Sequence, residues 1–277
     1  MNLFNLLRNR KREEILKTVQ IEPPAEFLSY VAANLQGIGR RNQQEDSFVF
    51  VNAFDATKIK KEGLMFAVAD GMGGMKDGKM ASEMVITGMK DEFRKMDRNA
   101  DMAMQLQNGV FDVGERIVQV LGGFGGSTLA ACIVYSEQLY FASVGDSFLY
   151  LVRDGHLYRL NREHNLLHQR YLYNIRVGNM DKSKITEDDE DKALTQFLGM
   201  EGMCEVDFSR KPLPLYDGDI ILACSDGVGD ILPPQTILSC MESKEPDEIC
   251  HALETQIIAQ NRRNQDNYTA VVVKCVY

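Results

Sequence analysis

The sequence lacks any pair of cysteines at CxxC spacing, any surplus of positive charge and any long apolar run. Its six cysteines, Cys132, Cys204, Cys224, Cys240, Cys250 and Cys275, are scattered, several of them inside apolar stretches. Zinc and dithiol redox motifs therefore have no support, and cysteines so placed behave as small hydrophobes. Such usage predicts a reducing, cytoplasmic setting. The formal net charge of −9 argues against nucleic-acid binding, which usually shows a basic face. No stretch approaches the ~18 apolar residues of a membrane span. The N-terminus lacks the uninterrupted apolar stretch of a secretory signal. No internal repeat or low-complexity tract is visible.

What is present suits a soluble globular protein. The 277 residues fit one large domain or two small ones, and 44% hydrophobic with 26% charged content leaves ample material for a core. Two Asp-Gly steps end apolar runs: Asp70-Gly71 after LMFAVA and Asp226-Gly227 after IILACS. A third acidic residue, Asp266, stands just ahead of the apolar run YTAVVV. A carboxylate at the lip of a buried strand is costly unless a charge or a hydrogen bond meets it. Three such lips brought together make an oxygen-rich cage suited to Mg²⁺ or Mn²⁺. The pattern points to a two-metal hydrolase acting on phosphate esters.

Residues 1–20 stand apart, with five Lys/Arg and two Glu for a net of +3 against −12 for the remainder. Leu3, Phe4, Leu6, Leu7, Ile15, Leu16 and Val19 predict a loosely amphipathic helix, ended by Pro23 and Pro24. A membrane-surface or partner helix and a solvated or core-docked extension are both open readings. Further on, the short continuous run 64–69 predicts a strand buried on both faces. Helical patterns cover residues 80–96 and about 100–121. Residues 128–160 read as a meander of strands, with Asp154-Gly155 a strong hairpin signal. Residues 161–200 are polar and weakly periodic, with an acidic run at 187–191, and read as a surface flap, either a gate or a plain excursion. His164 and His168 fall within it and read as surface residues. The last third predicts a strand at 219–225, helices at about 234–241 and 246–261, and a final strand at 268–276. Hairpin-joined strands with helices in pairs argue for an α+β protein with antiparallel sheets and helices outside.

Six short motifs follow in order: GIGRRNQQED at 37–46, DGMGG at 70–74, GSTLAA at 126–131, GDS at 145–147, SDGVGD at 225–230 and DNYT at 266–269. In this order and at these separations they resemble the metal-dependent Ser/Thr protein phosphatases of type 2C (the PPM family), in particular bacterial members. The resemblance spans about residues 31–277, leaving residues 1–30 as a basic helical extension ahead of a catalytic domain. It implies a sandwich of two antiparallel β-sheets flanked by helices, a four-layer αββα arrangement. It also implies hydrolysis of phosphoserine and phosphothreonine in proteins by a metal-bridging hydroxide. Two Mn²⁺ or Mg²⁺ ions are implied, with a third in some members. Asp70 would bridge two metals, with the Gly71 carbonyl as a further ligand, while Asp226 and Asp266 complete the first site. Glu45 would serve the second metal and Asp46 would orient waters. Asp146 and Asp230 would hold a third ion. Arg41, five residues before Asp46, matches the family's phosphate-binding arginine, with Arg40 the adjacent alternative.

Each residue also has an ordinary reading. Asp-Gly after a strand is commonly a turn, Glu45-Asp46 and Arg40-Arg41 alone are surface charges, and Asp230 suits a cap for a helix starting near Pro233. Three departures from the family pattern stand out. Phe148 replaces an arginine common after GDS, which removes a strand-end ion pair. Gln44 replaces a frequent Asn. Met72 replaces the His that animal members carry after DG, so no side-chain general acid is evident. The expected partners are phosphorylated proteins and, by family analogy, a Ser/Thr kinase and its targets. The rivals are a phosphatase dedicated to one regulatory partner, such as an anti-sigma-factor antagonist, and a catalytically silent phosphoprotein-binding module.

Overall fold

The computed structural model describes residues 27–72, 77–178, 189–242 and 244–277. The helix expected within residues 1–20, Gly73, Gly74, Glu187 and Asp188 lie outside the described residues. Two antiparallel sheets form the centre. One runs in the order β1 (Ser29–Gly37), β13 (Tyr268–Val276), β12 (Ile220–Cys224), β8 (Phe148–Arg153), β9 (His156–Arg159). The other runs β10 (Asp207–Phe208), β7 (Gln138–Val144), β6 (Leu129–Tyr135), β3 (Leu64–Ala69), β2 (Ser47–Val51), with β11 (Leu213–Pro214) also on β7. A short pair, β4 (Gly71–Met72) and β5 (Gly126–Ser127), continues from the second sheet.

Strand alternation sorts the apolar residues into layers. In β3, Leu64, Phe66 and Val68 face the other sheet, while Met65, Ala67 and Ala69 face helices. In β12 and β13, Ile221, Ala223, Val271 and Val273 join the intersheet core, and Leu222, Cys224, Ala270 and Val272 face outward to helices. Helices α2 (Asp77–Lys95) and α3 (Met102–Leu121) cover one sheet through Met89, Phe93, Leu106 and Ile117. Helices α6 (Pro234–Met241) and α7 (Pro246–Ala259) cover the other through Ile237, Leu253 and Ile257. The result is the expected helix–sheet–sheet–helix stack. Capping sets the helix ends: Asp101 accepts from Met104 N–H at the start of α3, and left-handed Gly122 ends it.

Several elements differ from the sequence expectation. Helix α2 starts at Asp77, three residues before the apolar periodicity that signals it. Helix α1 (Ala56–Glu62) has no buried residue and so leaves little apolar signature. The run 128–160 is not one meander. β6 and β7 pair in one sheet, β8 and β9 in the other, and Gly145-Asp146-Ser147 carries the chain across. Apolar periodicity cannot report this, because β7 and β8 both continue to alternate. The Asp154-Gly155 hairpin is present, with φ of 51° and 72° as a type I′ turn requires. Within the flap lie α4 (Leu166–Arg176) and a 3₁₀ turn (Asp189–Lys192). Its base is packed rather than exposed, since Asn161, His164, Asn165, Gln196 and Leu198 are buried. His164 is thus a core residue, not the surface residue expected.

Sheet register puts the site at one end of the sandwich. Ser47 pairs with Ala69, Cys224 with Ala270 and Phe148, and Gly37 with Tyr268. The loops before β2, β13 and β8 therefore meet those after β3, β12 and β1.

Candidate metal centre

A cleft of about 410 Å³ opens at that end, lined by Arg41, Glu45, Asp70, Gly71, Met72, Thr128, Asp146, Leu194, Asp226, Asp266 and Asn267. Five carboxylates thus reach it from five separate segments. Asp46 lies behind it, fully buried, and its Oδ2 accepts from the Ser225 hydroxyl at 2.9 Å. Asp230 is near enough to Asp146 to raise its pKa, but its carboxylate is held by Lys192 at 2.8 Å. Asp230 does not cap α6, whose N-cap is Pro233; it ends the short helix α5 (Asp226–Gly229) instead.

Local hydrogen bonds hold each segment. The Asp70 N–H donates to Thr128 Oγ1 at 3.0 Å, while Thr128 N–H and Ser127 Oγ donate to the Asp70 carbonyl. Thr128 Oγ1 also meets Ser147 Oγ at 2.7 Å, so the GST and GDS motifs touch. Only glycine fits at position 71, where a Cβ would lie 2.1 Å from the Gly78 carbonyl oxygen. The Glu45–Ser47 backbone is held from α2, by Lys79 Nζ donating to Asp46 O and Ser82 Oγ donating to Glu45 O. Asn267 ties the first motif to the last. Its Oδ1 accepts from Glu45 N–H at 2.8 Å and its Nδ2 donates to the carbonyls of Ile38 and Gln43.

The electrostatics are those of crowded buried carboxylates. Burial, then Asp146, Asp266, Asp230 and Asp46, push Asp226 up to about 8. Burial, then Asp46 and Asp226, raise Asp70 well above the ordinary carboxylate range. Asp46 rises to about 6 through burial, against the pull of hydrogen bonds from Thr269 and Ser225. Asp146 rises to about 6 through burial, Asp230 and Glu163, opposed by Arg159. That guanidinium acts on Asp146 through its charge alone, its ion-pair partner being Glu163 at 3.3 Å, so the strand-end pair is not replaced. The guanidinium comes from β9 and lies 3.8 Å from the centroid of the Phe148 ring.

Three carboxylate oxygens, Glu45 Oε1, Asp46 Oδ1 and Asp226 Oδ1, are buried without any hydrogen-bond partner. An unpaired buried carboxylate oxygen is costly, and a hard divalent cation answers it with oxygen ligation. The donor set of carboxylates and the Gly71 carbonyl fits such an ion. Among the described residues, no three acidic, histidine or cysteine side chains close on one point tightly enough to hold an ion as they stand. Asp266 is turned onto Arg41 at 2.5 Å, Asp230 onto Lys192 and Asp46 onto Ser225.

The protein phosphatase 2C family model matches residues 33–170. The serine/threonine phosphatase stp of Listeria monocytogenes serotype 4b is 29% identical over 245 residues, covering 85% of this chain and 91% of its own. The chain belongs to the protein phosphatase 2C family. The fold agrees. PppA, described as a key regulatory component of T6SS in Pseudomonas aeruginosa, superposes with a TM-score of 0.70 at 25% identity, covering 89% of this chain and 98% of that one. The catalytic domain of the serine threonine protein phosphatase PstP, solved in complex with two manganese ions, superposes with a TM-score of 0.72 at 24% identity, covering 91% and 100%. In family terms, all six motifs lie at or next to the cleft, although residues 73 and 74 of DGMGG lie outside the described residues. Lys79 and Ser82 stand outside the six motifs, and Thr128 lies inside GSTLAA with no role that the motif itself discloses. Their contribution is a hydrogen bond across 33 to 58 positions of sequence, visible only in the fold.

Proposed function

We propose that this protein phosphatase hydrolyses phosphoserine and phosphothreonine in proteins with two Mn²⁺ or Mg²⁺ ions, and that residues 31–277 form its catalytic unit. The observation that carries the reading is the meeting of Asp70, Asp226, Asp266 and Glu45 in one cleft with unpaired buried oxygens. Asp70, the Gly71 carbonyl, Asp226 and Asp266 would hold the first ion, and Asp70 with Glu45 the second. Asp146 and Asp230 would hold a third, more weakly. When bound, such ions would supply positive charge against the phosphoryl oxygens and lower the pKa of water toward neutrality.

The protein's own groups do the rest. Arg41, with its side chain about half exposed at the cleft rim, binds two phosphate oxygens through its fork. Asp46, behind the cleft with a free Oδ1, accepts a proton from water and fixes its direction. Among the described residues lining the cleft there is no serine, cysteine or histidine, and the Thr128 hydroxyl is engaged by Asp70 N–H and Ser147. This favours direct attack by water over a phospho-enzyme on a serine, cysteine, histidine or threonine side chain. Met72 lines the cleft and offers no proton, so the leaving oxygen takes its proton from water or solvent.

The proposed partners are phosphoproteins, with a Ser/Thr kinase as counterpart, in a cytoplasmic setting. Among the described residues no helix is long and apolar enough to cross a membrane. The test is turnover of p-nitrophenyl phosphate and of phosphoserine and phosphothreonine peptides, with Mn²⁺, Mg²⁺ or chelator. Turnover that ignores metal would overturn the mechanism. Tight phosphopeptide binding without turnover would favour a silent binding module, and activity confined to one phosphoprotein would favour a dedicated regulator.

A further inference from the structure

The Gly145-Asp146-Ser147 link crosses between the sheets, so its backbone groups fall outside both ladders. Two buried side chains of the flap base take their place. Nδ1 of His164 accepts from Gly145 N–H at 3.1 Å, while His164 N–H donates to the Gly145 carbonyl at 2.8 Å. Both backbone groups of the residue before Asp146 are thereby held by one histidine. Gly145 sits at φ +94°, where only glycine is at ease, and a Cβ there would lie 2.7 Å from Thr128. Asn161 holds the other side. Its Nδ2 donates to Ser147 O at 2.8 Å and Ser143 Oγ at 3.0 Å, and its Oδ1 accepts from Leu149 N–H and Arg159 Nε, both at 2.9 Å. Residues 143, 145, 147 and 149, flanking Asp146 on both sides, are all fixed by these two side chains. Asn161 and His164 are 4% and 7% exposed, so water does not compete for these bonds.

The same segment carries the flap. Thr195 N–H donates to the His164 carbonyl, Leu166 N–H to the Ala193 carbonyl, and Asn165 bridges to Leu194, which lines the cleft. Residues 161–166 are therefore fastened to the Asp146 link on one side and to the returning flap on the other.

We infer that His164 and Asn161 are positioning residues for Asp146, holding its carboxylate in register for a weakly bound divalent cation and joining that cation site to the flap. The inference rests on the reading of Asp146 as a cation ligand. Partners that orient a ligating carboxylate commonly change metal affinity by about 10- to 100-fold when removed. Neither residue touches substrate or ion, so the effect falls on the Asp146 site and spares the Asp70 site.

The experiment is calorimetric titration of Mn²⁺ into the full-length protein and into Asp146→Asn, His164→Ala, His164→Asn and Asn161→Ser, with melting curves in chelator. Asp146→Asn is expected to abolish the weakest binding step. His164→Ala and Asn161→Ser are expected to weaken that step about tenfold and leave the tighter steps unchanged. His164→Asn, whose amide oxygen can accept from Gly145 N–H, is expected to recover most of the loss. If His164→Ala does not fold, Asn161→Ser and His164→Asn carry the comparison. Wild-type binding in both His164→Ala and Asn161→Ser, with the weak step lost in Asp146→Asn, would overturn the inference and leave the reading of Asp146 intact. An unchanged weak step in Asp146→Asn would overturn that reading and the inference with it. Equal weakening of every step, in proportion to lost melting temperature, would reduce both residues to ordinary core packing.

Discussion

Arg41 and Asp266, 225 positions apart, form an ion pair of 2.5 Å across the mouth of the cleft. The arginine proposed for phosphate and a carboxylate proposed for metal are thus each other's partners. Burying neither fully, the pair keeps both groups available for exchange. The guanidinium is expected to serve substrate binding about equally in the ground and transition states. Arg41→Ala should then raise KM about tenfold or more, the scale of a lost charged hydrogen bond, with kcat little changed. Steady-state kinetics with p-nitrophenyl phosphate check this, with Arg40→Ala as the neighbour. A wild-type Arg41→Ala beside a defective Arg40→Ala would shift the role to Arg40.

Asp70→Asn should abolish turnover while keeping the fold. The carboxylate it replaces is raised in pKa by burial and by Asp46, Asp226, Asp146 and Asp266, so its charge is a burden when no cation is bound. The variant's melting temperature in chelator should equal or exceed that of the wild type, by about 2–4 °C for each kcal/mol relieved. Mn²⁺-dependent activity near the wild-type level would sink Asp70 as a ligand.

Acidity should stabilise the metal-free protein. Asp46 and Asp146 at about 6 and Asp226 at about 8 all lie above their unfolded values. The folded state therefore holds protons that the unfolded state releases, and stability falls as pH rises from about 4 through 8. Melting curves in chelator at pH 5.5, 7 and 8.5 should descend in that order. Asp226→Asn should flatten the upper part of the trend. Adding Mn²⁺ at the highest pH should restore most of the loss. A rising trend from pH 5.5 to 8.5 would contradict the crowding of the carboxylates.

Lys192 holds Asp230 from the flap at 2.8 Å, with its own side chain 69% exposed. An exposed pair of this kind is worth about 1 kcal/mol at most. Lys192→Met should therefore tighten the weakest Mn²⁺ step by no more than about fivefold, without altering kcat at saturating metal. Calorimetric titration measures it. Weaker Mn²⁺ binding in the variant would show that Lys192 supports the carboxylate rather than competing for it.

Much of this architecture is legible in the chain. The three strand-end carboxylates Asp70, Asp226 and Asp266 announce themselves because apolar runs locate the strands and an acidic residue at the lip is conspicuous. The run 64–69 is apolar throughout because both faces of β3 are covered. The sheet exchange at Gly145-Asp146-Ser147 is illegible, since alternation does not say which sheet a strand joins. The burial of His164 is illegible for a related reason. Its neighbours Asn161, Arg162 and Glu163 read as solvated surface, yet Asn161 and His164 satisfy a backbone crossing between sheets. Asn267 lies inside a recognised motif, but its three hydrogen bonds to residues 38–45 are set by the register of β1 on β13, which no local pattern encodes.

The cleft and the buried layer behind it draw Asp46 and Asp70 from one sheet and Asp226 and Asp266 from the other, with Asp146 on the strap between. Carboxylate spacing is therefore a gauge of how far apart the two sheets sit. Phe66, Leu149 and Ile221, packed between the sheets and lining no part of the cleft, set that spacing. A shaved residue there would register as altered ion affinity many residues away from any ligand. An ion taken up at the open end would in turn rivet the two sheets together.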